Sequence, residues 1–284
     1  ILMGTQLWEK RELAYRELYQ NALDACRYRR CRSSYRGVAY EPKIRFHEGW
    51  DDSGRYFVEC EDNGVGMDMN LLSNCFARAG SRFRDSGSFT QERREWEQAQ
   101  IPDLMYPNSQ FGIGVFSYFL VADEIEVKTC RLRSDAVGTE CRYRVRIPAA
   151  ASVFTIDEIV DTAALSGYYH RQSERKEPIR SEHRPGAGSR IRLYLTKQLH
   201  PNRDPNHGHR AQRFERCIDT LERLVWFTDV SMVATAYDRA EPSLWEPRKL
   251  APRVAQYVEP IQGLGETQHF WVLKPGLVSK SSPN

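Results

Sequence analysis

Apolar and polar residues recur with two different periods along this chain, and the changes of period mark its predicted helices and strands. Helical spacing over residues 6–31 predicts an opening helix in which a narrow apolar stripe runs beside a polar one. The apolar stripe consists of Leu18, Ala22 and Ala25. The polar stripe consists of Glu17, Asn21 and Asp24, at positions i, i+4 and i+7. Taken alone, this pattern is typical of an ordinary surface helix.

Two strands are predicted after a loop at residues 32–42. The first covers residues 43–48, and the turn sequence Asp51-Asp-Ser-Gly54 leads into the second at 55–61. Alternate residues of the second strand fall into two sets, as expected when side chains point to opposite faces of a sheet. The sets are Tyr56, Val58 and Cys60, and Phe57, Glu59 and Glu61.

A glycine turn follows the second strand, in the sequence Asp62-Asn-Gly-Val-Gly-Met67. Asn-Gly between strands is the usual signal for a tight hairpin. Here, however, Asp68 can act as an N-cap, and apolar residues then recur at helical spacing from residue 71 to 79. We therefore predict the order strand, glycine turn, helix, with Asp62 held rigidly at the strand end. Gly64 and Gly66 would let a backbone or a ligand approach closely.

Residues 80–108 are polar and punctuated by glycine and proline, with one short helix predicted at 91–98. A segment this long with little regular structure is typical of a functional lid, and disorder is the alternative. The next segment contains Gly112-Ile-Gly114 and opens a helix, which makes it a natural phosphate cradle. It is not a P-loop, since no Gly-Lys-Ser/Thr follows. Nor is it a dinucleotide fingerprint, because Ser117 stands where the third glycine belongs.

The rest of the chain predicts several further strands and one amphipathic helix. The strands are at 125–129, 143–147, 186–195 and 230–236, and the helix is at 214–225. The strand at 186–195 follows a glycine turn and alternates between apolar residues facing the core and Arg190, Arg192 and Tyr194 facing outward. Residues 148–185 have no informative pattern. The chain after Tyr237 has the pattern of a linker or of the start of another module.

Composition places the chain among globular proteins. It has 284 residues, of which 40% are hydrophobic, enough for a packed core. No apolar run approaches the roughly 20 residues of a membrane span, and the first residues do not resemble a signal peptide. The seven cysteines are scattered and form no C-x-x-C pair, which favours a reduced, cytoplasmic compartment.

The formal net charge of +3 is too balanced to suggest a general polyanion binder. Five arginines between residues 27 and 36 nevertheless form a basic run, which we interpret as a solvated helix end, with nucleic-acid contact as the alternative. His200, His207 and His209 lie in a predicted loop. Metal binding there is an alternative to an ordinary loop, although no cysteine or carboxylate cluster accompanies the histidines.

Taken in order, four motifs resemble the ATP site of the gyrase, heat shock protein 90, histidine kinase and MutL (GHKL) superfamily. They are the helix stripe Glu17, Asn21 and Asp24, the turn from Asp62 to Met67, the pair Gly112 and Gly114, and Gly188-Ser189. The fourteen residues from Gln110 to Asp123 look like the heat shock protein 90 branch and are the most specific signal. The resemblance implies an ATPase domain at residues 1–236, with a lid at about 80–109. Residues 237–284 would be a linker or the start of a following domain.

The resemblance implies an α+β fold, a two-layer sandwich of the Bergerat type. Its mixed, mostly antiparallel sheet would carry helices on one face, with a lid over the nucleotide. Glu17 would be the catalytic base that activates water, and Asn21 would bind magnesium through its amide oxygen. Asp62 would accept a hydrogen bond from the adenine amino group. The other nucleotide-binding residues would be Asp24, Gly66, Met67, Asn74, Gln110, Phe111, Gly112, Ile113, Gly114, Val115 and Ser189.

The function implied is that of a magnesium-dependent, cytoplasmic ATPase that hydrolyses ATP slowly. ATP binding would drive lid closure and formation of a homodimer, and thereby remodel a client protein. One alternative is a nucleotide-gated switch or scaffold with negligible turnover. The other is a nucleic-acid-directed ATPase in a multidomain defence or repair protein.

The chain departs from the chaperone pattern in several places. Ser189 stands where the family usually has threonine, and Val115 replaces an aromatic residue that is common in the chaperones. The basic residue that the family supplies to the γ-phosphate from a following domain is not identified. Only sixteen residues precede Glu17, which implies either a missing N-terminal segment or a different mode of dimerisation.

Overall fold

An eight-stranded mixed sheet with helices on one face forms the body of the protein. The structure is a computed structural model that describes residues 11–73, 87–106, 114–149, 154–159, 186–200, 216–251, 258–260 and 271–273. The strands of the sheet are β1 (Lys43–Trp50), β2 (Tyr56–Asp62), β3 (Ala122–Leu132), β4 (Thr139–Pro148), β5 (Thr155–Ile159), β6 (Gly188–Leu195), β7 (Ser231–Ala236) and β8 (Ser243–Trp245). Their order is β5-β4-β3-β6-β2-β1-β7-β8.

Neighbouring strands of this sheet are antiparallel except for one pair. β1 and β7 run parallel, with Phe46 opposite Ala234, and the chain between β1 and β7 accounts for most of the fold. The sheet is therefore mixed and mostly antiparallel, as expected, and the predicted α+β class is confirmed. A separate antiparallel pair is formed by β9 (Val258–Pro260) and β10 (Trp271–Leu273).

Five helices are described, and their lengths differ widely. They are α1 (Glu12–Tyr35), α2 (Met69–Leu71), α3 (Gly87–Gln98), α4 (Gly114–Ser117) and α5 (Cys217–Leu224). Asp68 caps α2 as predicted, since its side chain accepts the Leu71 N–H at 2.7 Å. Short 3₁₀ turns follow α4 and β6, at Tyr118–Leu120 and Lys197–Leu199.

The main core lies between the sheet and the pair α1 and α5. Small and medium side chains of α1 are buried against alternate residues of the central strands, because helix and strand each present one apolar face. The α1 contributors include Ala14, Leu18, Ala22 and Cys26. The strand contributors include Ile44, Phe46, Val58, Cys60, Val127, Ile191 and Leu193. The predicted core positions of the strand at 186–195 are thus confirmed.

The opposite face of the sheet is lined by charged side chains. Arg190, Arg192 and Tyr194 point to this face as predicted, but Tyr194 is only 8% exposed. The Arg55 guanidinium covers its ring at 3.5 Å from the centroid, so a cation rather than water occupies the outer side of the tyrosine.

A second apolar cluster lies at the far end of α1, where α3 docks. Tyr28 of α1 packs against Phe89 and Trp96 of α3, with ring centroids 5.4 and 5.3 Å apart. Arg32 is 4% exposed and forms an ion pair with Glu92 at 2.6 Å. These contacts explain two errors in the prediction: the loop expected from residue 32 is helical to Tyr35, and the short helix expected at 91–98 begins at Gly87.

The chain continues to pack on the sheet beyond Tyr237. β8 pairs with β7, and the Trp245 indole N–H donates to the Val225 carbonyl at 3.0 Å. Trp245 is 4% exposed and belongs to the main core. The division of the chain at residue 236 stays a prediction, and any boundary has to leave this strand with the sheet.

A buried carboxylate connects β1 to the start of α5. Glu48 is 1% exposed and accepts hydrogen bonds from the Tyr56 hydroxyl and, at 2.7 Å, from Arg216 Nε. Arg216 also pairs with Asp238 at 2.8 Å. Because a buried charge is tolerated only when it is paired, this cluster fixes the angle at which α5 approaches the sheet.

Replacing Glu48 by alanine should lower the free energy of unfolding by about 3 kcal/mol, since it leaves the Arg216 charge without its buried partner. Urea unfolding followed by circular dichroism measures the change. Glu246→Ala, which removes one partner of an exposed pair with Lys249, is the matched control and should leave stability nearly unchanged. Equal destabilisation by the two substitutions would contradict the structural role of Glu48.

Candidate nucleotide site

Helix α1 turns its polar stripe away from the core because the neighbouring stripe is buried. Leu18 is 1% and Ala22 4% exposed, whereas Glu17 and Asn21 are only partly covered. The polar stripe therefore lies along the edge of the helix, beside the sheet rather than under it. This arrangement places two carboxylates and an amide where a ligand could reach them.

Within the described ranges, Glu17 has no strong partner. Its side chain is 17% exposed, and the Arg16 guanidinium lies at 3.4 Å in a half-exposed contact between adjacent residues. Such surface pairs are weak. No strong ion pair from the described residues occupies the Glu17 carboxylate.

Asn21, one turn further along, has its amide nitrogen occupied. The Asn21 Nδ2–H donates to the Tyr118 hydroxyl at 2.8 Å, and Tyr118 is fully buried. Among the described residues, no hydrogen bond to the amide oxygen of Asn21 is found. An amide oxygen is a hard ligand of the kind that magnesium prefers.

Asp62 is the last residue of β2 and its carboxylate is buried. Its side chain accepts the Gly64 N–H at 2.8 Å and the backbone N–H of Ser189, its neighbour across the strand pair. Burial outweighs these hydrogen bonds and raises the pKa of Asp62 to about 7. A carboxyl group that titrates near neutrality at a strand end is typical of a functional site.

The glycine turn after Asp62 passes between α1 and β3. The Val65 N–H donates to the Ala25 carbonyl at 3.1 Å, and the Leu132 N–H donates to the Val65 carbonyl at 2.8 Å. A methyl group on Gly64 would lie 2.5 Å from the carbonyl carbon of Ala25, and one on Gly66 would lie 2.0 Å from the Cys130 oxygen. Both glycines are thus required by a close approach of backbones, as the sequence predicted.

Thr129 of β3 lies in the centre of a hydrogen-bond network beside Asp62. Its hydroxyl accepts the Met67 N–H at 2.9 Å and donates to the Gly188 carbonyl at 3.1 Å. The hydroxyl of Ser189 lies 3.0 Å from the same oxygen. Either hydroxyl can be the donor in the contact between Thr129 and Ser189, and the Ser189 oxygen keeps a lone pair in both arrangements.

The sequence predicted only that Thr129 ends the strand at 125–129 and missed its place in this network. Its position in β3 directly opposite Ser189 could have identified it, but that register emerges only when the strands are paired. Together, the Asp62 carboxylate and the Ser189 oxygen present hydrogen-bond acceptors at one end of the site.

The predicted phosphate loop is described only at its end. Gly114 begins α4, and Val115 packs against the main core. The other nucleotide-binding residues expected nearby, Asn74, Gln110, Phe111, Gly112 and Ile113, lie outside the described residues. Asp24 lies on the partly covered face of α1, one turn after Asn21. The roles of these residues stay predictions.

The arginine run of α1 is engaged within the protein, contrary to the expectation of a solvated helix end. Arg27 and Arg30 both pair with Asp229, at 2.9 and 2.7 Å. Arg29 donates to the Asn63 carbonyl at 2.7 Å, and Arg36 donates to the Ser134 carbonyl at 3.0 Å. Arg29 thereby supports the glycine turn from behind. With Arg32 bound to Glu92, the run contributes no cluster of unpaired cations for a nucleic acid.

Metal ligands and cysteines add little to this site. Within the described ranges, no group of three or more His, Cys, Asp or Glu side chains could hold a metal ion. A magnesium ion bound by one amide and by phosphate oxygens would not require such a group. The six described cysteines, Cys26, Cys31, Cys60, Cys130, Cys141 and Cys217, are free thiols.

In the part of the chain that the structure covers, no helix is long and apolar enough to cross a membrane.

Sequence comparison finds similarity between this chain and known chaperones. No family model matches the chain. It is 32% identical over 161 residues to the chaperone protein HtpG of Burkholderia cenocepacia, a match that covers 56% of this chain and 24% of that protein. HtpG of Burkholderia ambifaria matches to the same extent. HtpG of Methylobacterium nodulans is 32% identical over 139 residues, 47% of this chain and 21% of its own length.

These matches span about a quarter or less of the length of the curated relatives. They confirm the resemblance inferred from the motifs, because HtpG is the bacterial name within the heat shock protein 90 family. Over about half of its length, the chain is similar to HtpG chaperones and is consistent with a GHKL ATPase domain of the heat shock protein 90 type.

Proposed function

We propose that this chain binds ATP with magnesium and hydrolyses it slowly, as the ATPase domain of a heat shock protein 90-like protein. The observation that carries the proposal is the buried Asp62 carboxylate at the end of β2, beside a glycine turn that touches α1. Homology to HtpG supports a chaperone-type ATPase domain. Lid closure, homodimer formation and remodelling of a client belong to the same proposal and depend on the whole protein.

The acceptor end of the site favours adenine. Asp62 and Ser189 offer oxygen lone pairs, which suit the exocyclic amino group of adenine. Guanine carries a carbonyl oxygen at that position, and two acceptors facing each other leave both without a donor. Gly66 and Met67 would shape the wall of the base pocket, and Asp24 and Asn74 would lie along the rest of the nucleotide.

Helix α1 is long enough to extend from the adenine end of the site to the end where the phosphates would lie. Ala25 touches the glycine turn at the adenine end, and Glu17 lies eight residues earlier, about 12 Å along the helix axis. The phosphates would follow this line toward the N–H groups of the loop that contains Gly112 and Gly114. Asn21 would bind magnesium between the phosphates, and Glu17 would accept a proton from the attacking water.

We expect Asp62→Asn to weaken binding of ADP at least about 100-fold, because an amide would direct N–H groups at the adenine amino group. Calorimetric titration measures the affinity. Asp52→Asn, in the exposed hairpin turn, is the matched control and should bind ADP normally. Unchanged affinity in Asp62→Asn, with the fold intact, would rule out the proposed base pocket.

Adenine affinity should also depend on pH. Because burial holds the pKa of Asp62 at about 7, the carboxylate is protonated as the pH falls through that value. The ionised form accepts the amino hydrogen, so affinity should fall by about 10-fold between pH 8 and pH 6. Adenosine is the second ligand to test, since it has no phosphate that titrates in this range. Constant affinity for adenosine over these pH values would argue against Asp62 as the acceptor.

Glu17→Ala should leave ADP affinity within about 3-fold and reduce ATP turnover at least about 100-fold, because the catalytic base and the binding contacts are different groups. Release of phosphate and binding of ADP are measured on the same preparations. Glu12→Ala, which removes a carboxylate from the same helix, is the matched control. Equal loss of binding and turnover in Glu17→Ala would contradict the role assigned to Glu17. If the unchanged protein binds ATP without releasing phosphate, the switch or scaffold function is favoured instead.

A further inference from the structure

The side chain of Arg131 reaches from β3 to the turn that follows Asp62. Its Nη1–H donates to the Gly66 carbonyl at 3.2 Å, and its Nε lies 3.2 Å from an oxygen of the Asp68 carboxylate. Arg131 is buried, so water does not compete strongly for these contacts. A guanidinium carries only donors, whereas a carbonyl and a carboxylate only accept, so the direction of both interactions is fixed.

The segment Gly66-Met67-Asp68 depends on such contacts because it belongs to no helix or strand. Gly66 has a φ of +67°, in the left-handed region that favours glycine, and glycine restricts the backbone less than other residues do. Thr129 accepts the Met67 N–H, so β3 holds three consecutive residues of the turn. Gly66 and Met67, the proposed wall of the base pocket, lie within this segment.

Asp68 connects Arg131 to the start of α2. One oxygen of its carboxylate accepts the Leu71 N–H at 2.7 Å and caps the helix, while the other oxygen faces the arginine. A single guanidinium therefore anchors the turn at two places, through a carbonyl in its middle and through the helix cap at its end.

Packing alone does not account for a charged side chain at this position. A buried guanidinium is unfavourable unless it is paired, and a neutral side chain of similar length would fill the same volume without that cost. The guanidinium carbon of Arg131 also lies 5.9 Å from the centroid of the Tyr28 ring of α1, an arrangement that favours a cation. The hydrogen bonds to the turn are thus the main feature that only an arginine supplies here.

We propose that Arg131 is a positioning residue that sets the adenine affinity of the site by fixing the path of Gly66 and Met67. The inference rests on the proposed ATPase function and deepens it. Arg131 does not touch the nucleotide, and it acts through the turn whose residues form the wall of the base pocket. Its removal should weaken recognition of the base and leave the chemistry at the phosphate end unchanged.

The test replaces Arg131 by methionine, which keeps an unbranched side chain and removes all of its donors. Affinity for adenosine and affinity for ADP should fall by the same factor, about 10-fold, because the base is common to both ligands. The KM for ATP should rise to a similar extent with kcat within about 2-fold, since base contacts are the same in the ground state and in the transition state. Calorimetry and phosphate release measure these quantities.

Arg192→Met is the matched control. Arg192 lies on β6, next to β3, and faces the other side of the sheet, where it pairs with Glu59 at 2.7 Å. Its replacement removes a comparable ion pair away from the turn, so adenosine affinity should stay within about 2-fold. Equal losses in the two variants overturn the proposal, as does a loss in Arg131→Met that is confined to ADP or to kcat.

The failure of this inference can be told from that of the proposed function. If the unchanged protein binds adenosine and ADP, and Arg131→Met binds them equally well, only this inference fails. If the unchanged protein binds neither ligand, the proposed function fails and the inference falls with it.

Asp68→Asn separates the ion pair from the helix cap, since asparagine caps a helix as well as aspartate does. Adenosine affinity should fall by about 3-fold in this variant, because the end of the turn loses its charged anchor. Added to Arg131→Met, the same substitution should cause no further loss, since the partner is already absent. Additive losses overturn the proposal.

Arg131→Lys covers the case in which Arg131→Met does not fold. Lysine keeps the positive charge, but its single nitrogen on a shorter side chain cannot hold the Gly66 carbonyl and Asp68 in the same geometry. Adenosine affinity should fall by about 3-fold or more, with kcat preserved. An affinity equal to that of the unchanged protein overturns the proposal.

Discussion

The close approach of α1 to the turn after β2 holds the candidate site together. A carbonyl in the middle of the helix, that of Ala25, accepts the Val65 N–H, and Gly64 lies so near the helix that no side chain would fit. This contact fixes the distance between the polar stripe of α1 and the buried end of β2. A larger residue at Gly64 would push the helix and the strand apart and would change that distance.

Burial of the Asp62 carboxylate lowers the stability of the folded protein near neutral pH. Its pKa is raised from 3.8 to about 7, so the folded protein holds a proton that the unfolded chain has already lost between these values. Its contribution to the free energy of unfolding therefore falls as the pH rises from about 4 to about 7. A bound amino group would donate a hydrogen bond to this carboxylate and restore part of that stability.

The arginines of α1 form hydrogen bonds and ion pairs within the protein and do not form a surface for nucleic acid. Arg29 binds the carbonyl of Asn63 in the glycine turn, Arg27 and Arg30 share Asp229 just before β7, and Arg32 holds α3 through Glu92. The helix that carries the candidate catalytic groups is thereby tied to the sheet and to α3. Part of the segment predicted as a lid is consequently a packed helix, because α3 buries Phe89 and Trp96 against α1.

The resemblance of the motifs to the GHKL superfamily implied the α+β class. The sequence by itself determined much of the order of elements, and it placed Glu17 and Asn21 on a helix, Asp62 at a strand end and Ser189 on a later strand. Local periodicity and glycine spacing carry that information, since each is decided by neighbours in the chain. Only the tertiary structure decided what the side chains meet. Thr129 joins Ser189 through strand register, Tyr118 meets Asn21 across the core, and α1 continues to Tyr35 because α3 packs on its last turns. These contacts join residues distant in sequence, and no local pattern specifies them.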